Sequence, residues 1–413
     1  MSKNKPEIRF NGFEDSWEFL KFIDVFNFLQ NNSLSRAELD NENGNIMNVH
    51  YGDILVKYGE ILETRKDEFT YLLDDALEKK HHTSLLKNGD IIIADAAEDD
   101  TVGKCSEIVG ITDEKILAGL HTIPCRPVID FSKMYLGYYM NSKAYHNQLL
   151  PLIQGTKVSS ISKSAIQNTS VSYPKLEKEQ EKIGCYFHYL SNLITLHQQE
   201  YDKLVNNKKA MLEKMFPKEG CDVPEIRFKG FDKSWELREL GDVFKEYSEK
   251  NHAELPPLTI VQGGGTVRRD ESDRNLMYDK NNLSNYKMVN KGDFIVHLRS
   301  FEGGLEIATN TGIISPAYHT FYGENTDSRF YYSYFRSQKF INIDLKPHVY
   351  GIRDGRSIDM EGMKTIKIPY TSFEEQKAIG DFIDLINECI LLQKQELEKL
   401  KNIKAALLEK MFV

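Results

Sequence analysis

The chain has 413 residues, 40% hydrophobic and 28% charged content, and a formal net charge of −9, a profile that fits two or three soluble globular domains. No apolar run approaches 18 residues, which excludes a helical membrane span, and the opening MSKNKPEIRF lacks the apolar core of a secretory leader. The acidic balance gives nucleic-acid binding no support, since residues 1–174 carry 18 Lys+Arg against 25 Asp+Glu; only basic groups clustered in space could meet a phosphate backbone. The five cysteines (Cys105, Cys125, Cys185, Cys221 and Cys389) form no CxxC pair, which predicts reduced thiols and a cytoplasmic protein rather than a disulfide frame or a zinc site.

In chain order, PEIRFNGFEDSWE (6–18) comes first, and its Trp and Phe residues predict a segment anchored on a core. HYGDILVKYG (50–59) and LKNGDIIIADAAEDD (86–100) each place Gly-Asp before an apolar run, the pattern of a tight turn entering a buried strand. Asp95, Glu98, Asp99 and Asp100 follow the second of these; an acidic turn-capping loop is the simpler reading than a metal or acid–base site. His81 and His82 lack the i,i+4 spacing that would put two ligands on one helix face. GYYMNSKAYHNQ (137–148) predicts a short aromatic helix of the core. GTKVSSISKSAIQNTSVSYP (155–174) runs from a glycine through Lys157, three serines and Lys163 to a strand, with side chains suited to phosphate oxygens.

From Glu179 to Phe216 the sequence reads as one helix of about 57 Å. Ile183, Leu190, His197, Leu204 and Met211 recur every seven residues, with Phe187, Ile194, Tyr201, Lys208 and Met215 four positions after each. That narrow seam requires a partner helix. After the linker 217–223 the chain begins again. PEIRFKGFDKSWE (224–236) repeats the opening, and VQGGGTVRRDESDR (261–274) predicts a flexible loop carrying Arg268 and Arg269 toward a DNA groove. VNKGDFIVHLRSFEGG (289–304) repeats the Gly-Asp strand and adds Arg299. FYYSYFRSQKFI (330–341) is a second aromatic helix, and GIRDGRSIDMEGMKTIKIPY (351–370) carries Arg353 and Arg356. The stretch from Glu375 to Phe412 reproduces the seam of the first helix 196 residues later. His197 falls on Gln393 and Lys208 on Lys404, and both helices end in LEKMF. The chain is an internal duplication.

These features predict an α+β protein. Residues 1–174 and 224–373 form two domains of mixed strands and short helices, separated by helices at 175–216 and 374–413 that pack as an antiparallel coiled coil. Pairing about the helix midpoints sets His197 opposite Gln393, and polar residues on such a seam fix register. The paired PEIRF-x-GF-x-x-SWE openings, the duplicated helices with Glu179–Gln180 and Glu375–Gln376 near their starts, and the LEKMF endings resemble the specificity subunit of type I restriction–modification enzymes over essentially the whole chain.

The resemblance implies two target-recognition domains, each reading one half of a split sequence in double-stranded DNA, with the helices setting the gap. It implies two methyltransferase subunits and motor-nuclease subunits as partners. It also implies no catalysis and no cofactor in this chain, S-adenosylmethionine and ATP with Mg being used by the partners. Residues of the type that contact DNA are Lys157, Lys163, Arg268, Arg269, Arg299, Arg353 and Arg356. Two other readings compete. One is a coiled-coil scaffold without DNA binding, in keeping with the acidic first domain. The other is a methyltransferase or nuclease with built-in recognition domains, which would need a methyl-donor glycine motif and an Asn/Asp-Pro-Pro-aromatic box; the only Pro-Pro lies in Leu255-Pro256-Pro257-Leu258.

Overall fold

The computed structural model describes residues 4–73, 80–155, 157–271, 280–351 and 357–413. The chain divides into two compact units, 1–198 with 395–413 and 199–394. The long helices, Glu177–Met215 and Phe373–Lys410, are thus each shared between the units.

Unit one is built on a five-stranded sheet in the order Phe26–Phe28, Thr122–Pro127, Ile91–Ala94, Cys105–Val109, Ile61–Glu63, antiparallel except for the last pair. A four-stranded sheet (Lys115–Ala118, Ile46–Val49, Thr70–Leu72, Leu39–Asp40) shares a second core with it, where Val49, Ile54 and Ile116 meet Leu62, Ile92 and Ile108. Unit two holds a four-stranded antiparallel sheet, Phe244–Tyr247, His319–Gly323, Phe294–Val296, Glu306–Ile307, and a hairpin of Leu258–Val261 with Gly265–Arg268. The turns before Ile91 and Phe294 form as the Gly-Asp pattern predicts, with Gly89 and Gly292 at positive φ. The first such pattern does not: Tyr51–Val56 is a helix, because His50 Nδ1 accepts from Gly52 N and Asp53 is held by Arg36 from outside the segment. The aromatic helices are core elements. Tyr135, Tyr138, Tyr139 and Tyr145 are buried in unit one, and Phe330, Tyr331, Tyr334 and Phe335 in unit two.

The repeated words of the sequence assemble into one joint, built once in each unit. In unit one, Arg9 of PEIRF makes a two-point bond to Glu179 (2.6 and 2.8 Å) at the start of the first helix, and Ile8 N donates to Lys410 O at the end of the second. Phe412 of LEKMF sits against Phe187, Tyr135, Tyr139 and Trp17. In unit two, Arg227 holds Glu375 at 2.7 and 2.8 Å, Ile226 N donates to Lys214 O, and Phe216 packs on Trp235, Phe330 and Tyr334. Within each unit the start of one long helix therefore lies beside the end of the other, so the two run antiparallel. The adjoining glutamines complete the joint. Gln180 accepts from Ser132 N and donates to Pro174 O; Gln376 accepts from Asp327 N and donates to Thr371 O.

Every seam residue on both helices is buried or half-buried. The one glycine in each helix marks a close approach of the domain. A Cβ on Gly184 would lie 2.8 Å from Lys133 O, and one on Gly380 would lie 2.8 Å from Asp327 Oδ1.

Arg227→Lys deprives Glu375, whose side chain is 1% exposed, of one of the two bonds from residue 227, and should lower the stability of unit two by about 2–4 kcal/mol. Urea unfolding followed by Trp235 fluorescence reads this directly, since Trp235 Nε1 donates to Glu375. Gly184→Ala meets backbone and should cost roughly 1–3 kcal/mol despite alanine's better helix propensity, more than Gly380→Ala, which meets a movable carboxylate; paired thermal melts compare them.

Candidate nucleic-acid interface

In unit one the loop after Ile91–Ala94 continues as Ala96–Ala97, which pairs with Ser159–Ser160. This places the Lys157 segment and the short helix Lys163–Ile166 beside the acidic loop. Lys157 is exposed. Lys163 is half-buried; its Nζ lies 5.8 Å from the centre of the Phe28 ring and 3.4 Å from Leu29 O. Asp95 bonds the ring of His121 at 3.2 Å. Burial pushes the Asp95 carboxyl up, against the pull of His121 and Lys163. Asp99 accepts from Thr101 N and Oγ1 as a turn cap.

Sequence reasoning passed over the group next to this one. Tyr51 lies tilted against His50 (4.6 Å) and meets His121 edge-on (5.2 Å), and Arg36 bonds Asp53 at 2.8 Å. Burial, then the charges of Arg36 and His121, hold His50 below the usual histidine range. The clue was His50-Tyr51 itself, concealed inside a stretch read as a turn into a strand.

In unit two the structure brings Arg269 and Arg299 to one aromatic patch. Arg269 lies 5.4 Å from the Tyr286 ring centre, and His297 meets Tyr318 edge-on at 6.2 Å. Arg299 is exposed, follows the exposed Leu298, and donates its backbone N to His297 Nδ1. Arg268 is different: Asp270 at 2.8 Å and Glu271 at 3.7 Å offset its charge. Arg353 and Arg356 lie outside the described residues.

The glycine loop is tied rather than free. Glu306, whose side chain is fully buried, accepts from Gly263 N (2.6 Å), Gly265 N (3.3 Å), Tyr332 OH (2.9 Å) and Arg336. The backbone N–H groups of Gly263 and Gly265 are thus already used, although the tip from 261 to 264 is exposed.

This architecture belongs to a known class. The family model described as the type I restriction modification DNA specificity domain matches the chain twice, over residues 14–206 and 232–402, and the chain belongs to that family. Specificity subunits are the non-catalytic members of restriction–modification assemblies. The chain is 22% identical to the putative type I restriction enzyme MjaX specificity subunit of Methanocaldococcus jannaschii, across 94% of this chain and 91% of that protein. It is 26% identical to the MjaVIII specificity subunit of the same organism, across 66% of this chain and 67% of that one. Its fold is similar to the crystal structure of the type I restriction–modification S subunit from M. genitalium, with a TM-score of 0.54, 13% identity and 99% coverage of both chains.

His297 gives this face a pH signature. Burial, then the neighbouring Arg336 and Arg299 charges, bring its pKa from 6.5 down to about 4. The unfolded chain therefore takes up that proton more readily than the folded one. The stability His297 lends unit two is complete above pH 6.5 and is lost as pH falls toward 4. His297→Gln should flatten this part of the pH dependence of the urea midpoint between pH 7.5 and pH 4.5, read at Trp235.

Proposed function

We propose that this chain reads a split target in double-stranded DNA, one half-site per unit, with the long helices fixing the gap. The observation that carries the reading is the joint built twice from the same words, each copy fastening its own recognition domain to both helices. A duplicated reader suits two half-sites on a duplex and two copies of one partner. On this reading Lys157 and Lys163, with Tyr51 and His121 beside them, form the contact face of unit one. Arg269, Arg299 and the Tyr286–Tyr318 patch form that of unit two. Lysines position the phosphate backbone and exposed arginines address guanine edges. The acidic surroundings argue for a local contact rather than a broad basic face.

His197 and Gln393 are assigned the role of fixing helix register. Both are half-buried, and Gln393 donates to Glu200 at 3.1 Å. Two methyltransferase subunits dock on the helices. The support is a second apolar pair off the seam, present in both copies: Tyr189 and Leu196 on the first helix, Leu385 and Leu392 on the second, all exposed and each pair seven residues apart. S-adenosylmethionine and ATP with Mg act in the methyltransferase and motor-nuclease partners, in the cytoplasm.

Methylome sequencing of cells expressing this chain with its cognate methylase should show a bipartite motif; a continuous motif, or none, would sink the proposal. Arg299→Ala should weaken binding to that motif by roughly 1–3 kcal/mol and relax one position of it, whereas Lys157→Ala should weaken all sequences alike and lower the salt slope by about 1. Fluorescence anisotropy on matched and scrambled duplexes separates the two.

A further inference from the structure

The two units differ at one seam lysine. In unit one, Lys404 lies 5.5 Å from the centre of the Tyr138 ring and donates to Glu60 Oε1 at 2.6 Å; the two side chains are only 15% and 20% exposed. Glu60 is carried there by a loop fastened to the sheet, where Ser106 Oγ donates to Gly59 O and Glu107 N donates to Glu60 O. The seam position that matches Lys404 is Lys208, in unit two.

Strand register identifies what stands in place of Glu60. The Gly-Asp turns align Ile91 with Phe294; Ile92 pairs with Ser106, and Ile295 pairs with Glu306. Glu306 is therefore the counterpart of Ser106, and the loop fastened to it is Gly263-Gly264-Gly265. Where unit one offers a glutamate, unit two offers glycines. Among the described residues no carboxylate bonds Lys208, and burial holds its ammonium below the ordinary lysine range.

The place left open is a cavity of about 1340 Å³ between the end of the first long helix and the domain, with Lys208, Leu212, Phe216, Gly263, Ile307 and Tyr332 on its walls. It exceeds the ~300–1,000 Å³ of a small-molecule site. Of the seven Lys and Arg on its lining, Lys218, Arg329, Arg336 and Lys339 are already paired, with Glu225, Asp327, Glu306 and Asp344, which leaves Lys208, Lys209 and Lys291 beside the carboxylates of Glu213 and Glu219, Asp384 being held by Arg329. An apolar floor beside a half-buried lysine that no described carboxylate bonds suits a carboxylate-bearing amphipathic chain better than a duplex, whose phosphates need no apolar floor.

We propose that this groove docks an acidic amphipathic peptide segment of a partner protein, a carboxylate of which pairs with Lys208 as Glu60 pairs with Lys404. The chain then carries one such site rather than two, because unit one occupies its own. The assignment stands apart from the DNA-reading proposal.

The test uses the full chain and a fluorescein-labelled peptide with the sequence of residues 57–64, KYGEILET, which brings Glu60 to Lys404. Anisotropy should show saturable binding of one peptide per chain. Binding should be roughly tenfold weaker for Lys208→Met, for Lys208→Gln, and for the peptide carrying Glu60→Gln. Circular dichroism and the Trp235 unfolding transition establish that the variants remain folded. No saturable binding, two peptides per chain, or equal affinity in the Lys208 variants would overturn the proposal. So would displacement of the peptide by a short duplex with concurrent protection of Lys208 from acylation, which would make the groove part of the nucleic-acid surface.

Discussion

Everything in this molecule depends on an arginine fork closed on a buried glutamate. Arg9 on Glu179 and Arg227 on Glu375 each join the segment that opens a domain to the helix that leaves it, with both carboxylates 1% exposed. A carboxylate taken out of water is costly unless its lone pairs are filled. Glu375 is satisfied by two bonds from Arg227, one from Trp235 Nε1 and one from the Thr371 hydroxyl. The geometry suits guanidinium and carboxylate specifically, because a planar fork meets both oxygens at once. Removing either partner would leave a buried charge, so the pair acts as a lock on the joint.

The joint also resolves the loose end of the opposite helix. The last carbonyls of a helix have no partner within it, and Ile8 N and Ile226 N each supply one, at Lys410 O and Lys214 O. The LEKMF phenylalanines then fill the hole framed by tryptophan and the aromatic helix. Sequence segments far apart in the chain are in this way made to meet at one place. Recognition loops can vary in length and charge without loosening it, and the two units here differ greatly in those loops: unit one has a second sheet, while unit two has a glycine hairpin.

The duplication and the helix seam were legible because both are periodic, and period survives drift in the residues between. The purpose of the repeated words was not. PEIRF, EQ and LEKMF read as border markers, and only their meeting in space shows that one bonds the second and the third seals both. Tyr51–Val56 was misread because a capping histidine and a distant arginine outweighed the local pattern. Arg268 looked equivalent to Arg269 in sequence, yet Asp270 and Glu271 neutralise the one while Tyr286 supports the other. The three glycines suggested a free loop; a carboxylate 41 residues away from Gly265 ties them down. Burial and ion pairing are long-range facts, so charge and flexibility were the properties least readable from the chain.

Internal duplication invites the assumption of equal halves, and the seam shows where that fails. Lys208 and Lys404 hold the same position on matched helices, yet one is paired and covered while the other borders an open groove. The difference comes from the loop that each sheet edge presents, a glutamate in one case and glycine in the other. A lysine half-buried without a carboxylate is less stable in its charged form, so the unfilled copy retains a drive to acquire a partner that the filled copy has spent. Divergence after duplication thus need not touch the joint or the seam to break the equivalence of the two ends. A change in one loop, facing a residue common to both copies, is enough to turn an internal contact into an external one.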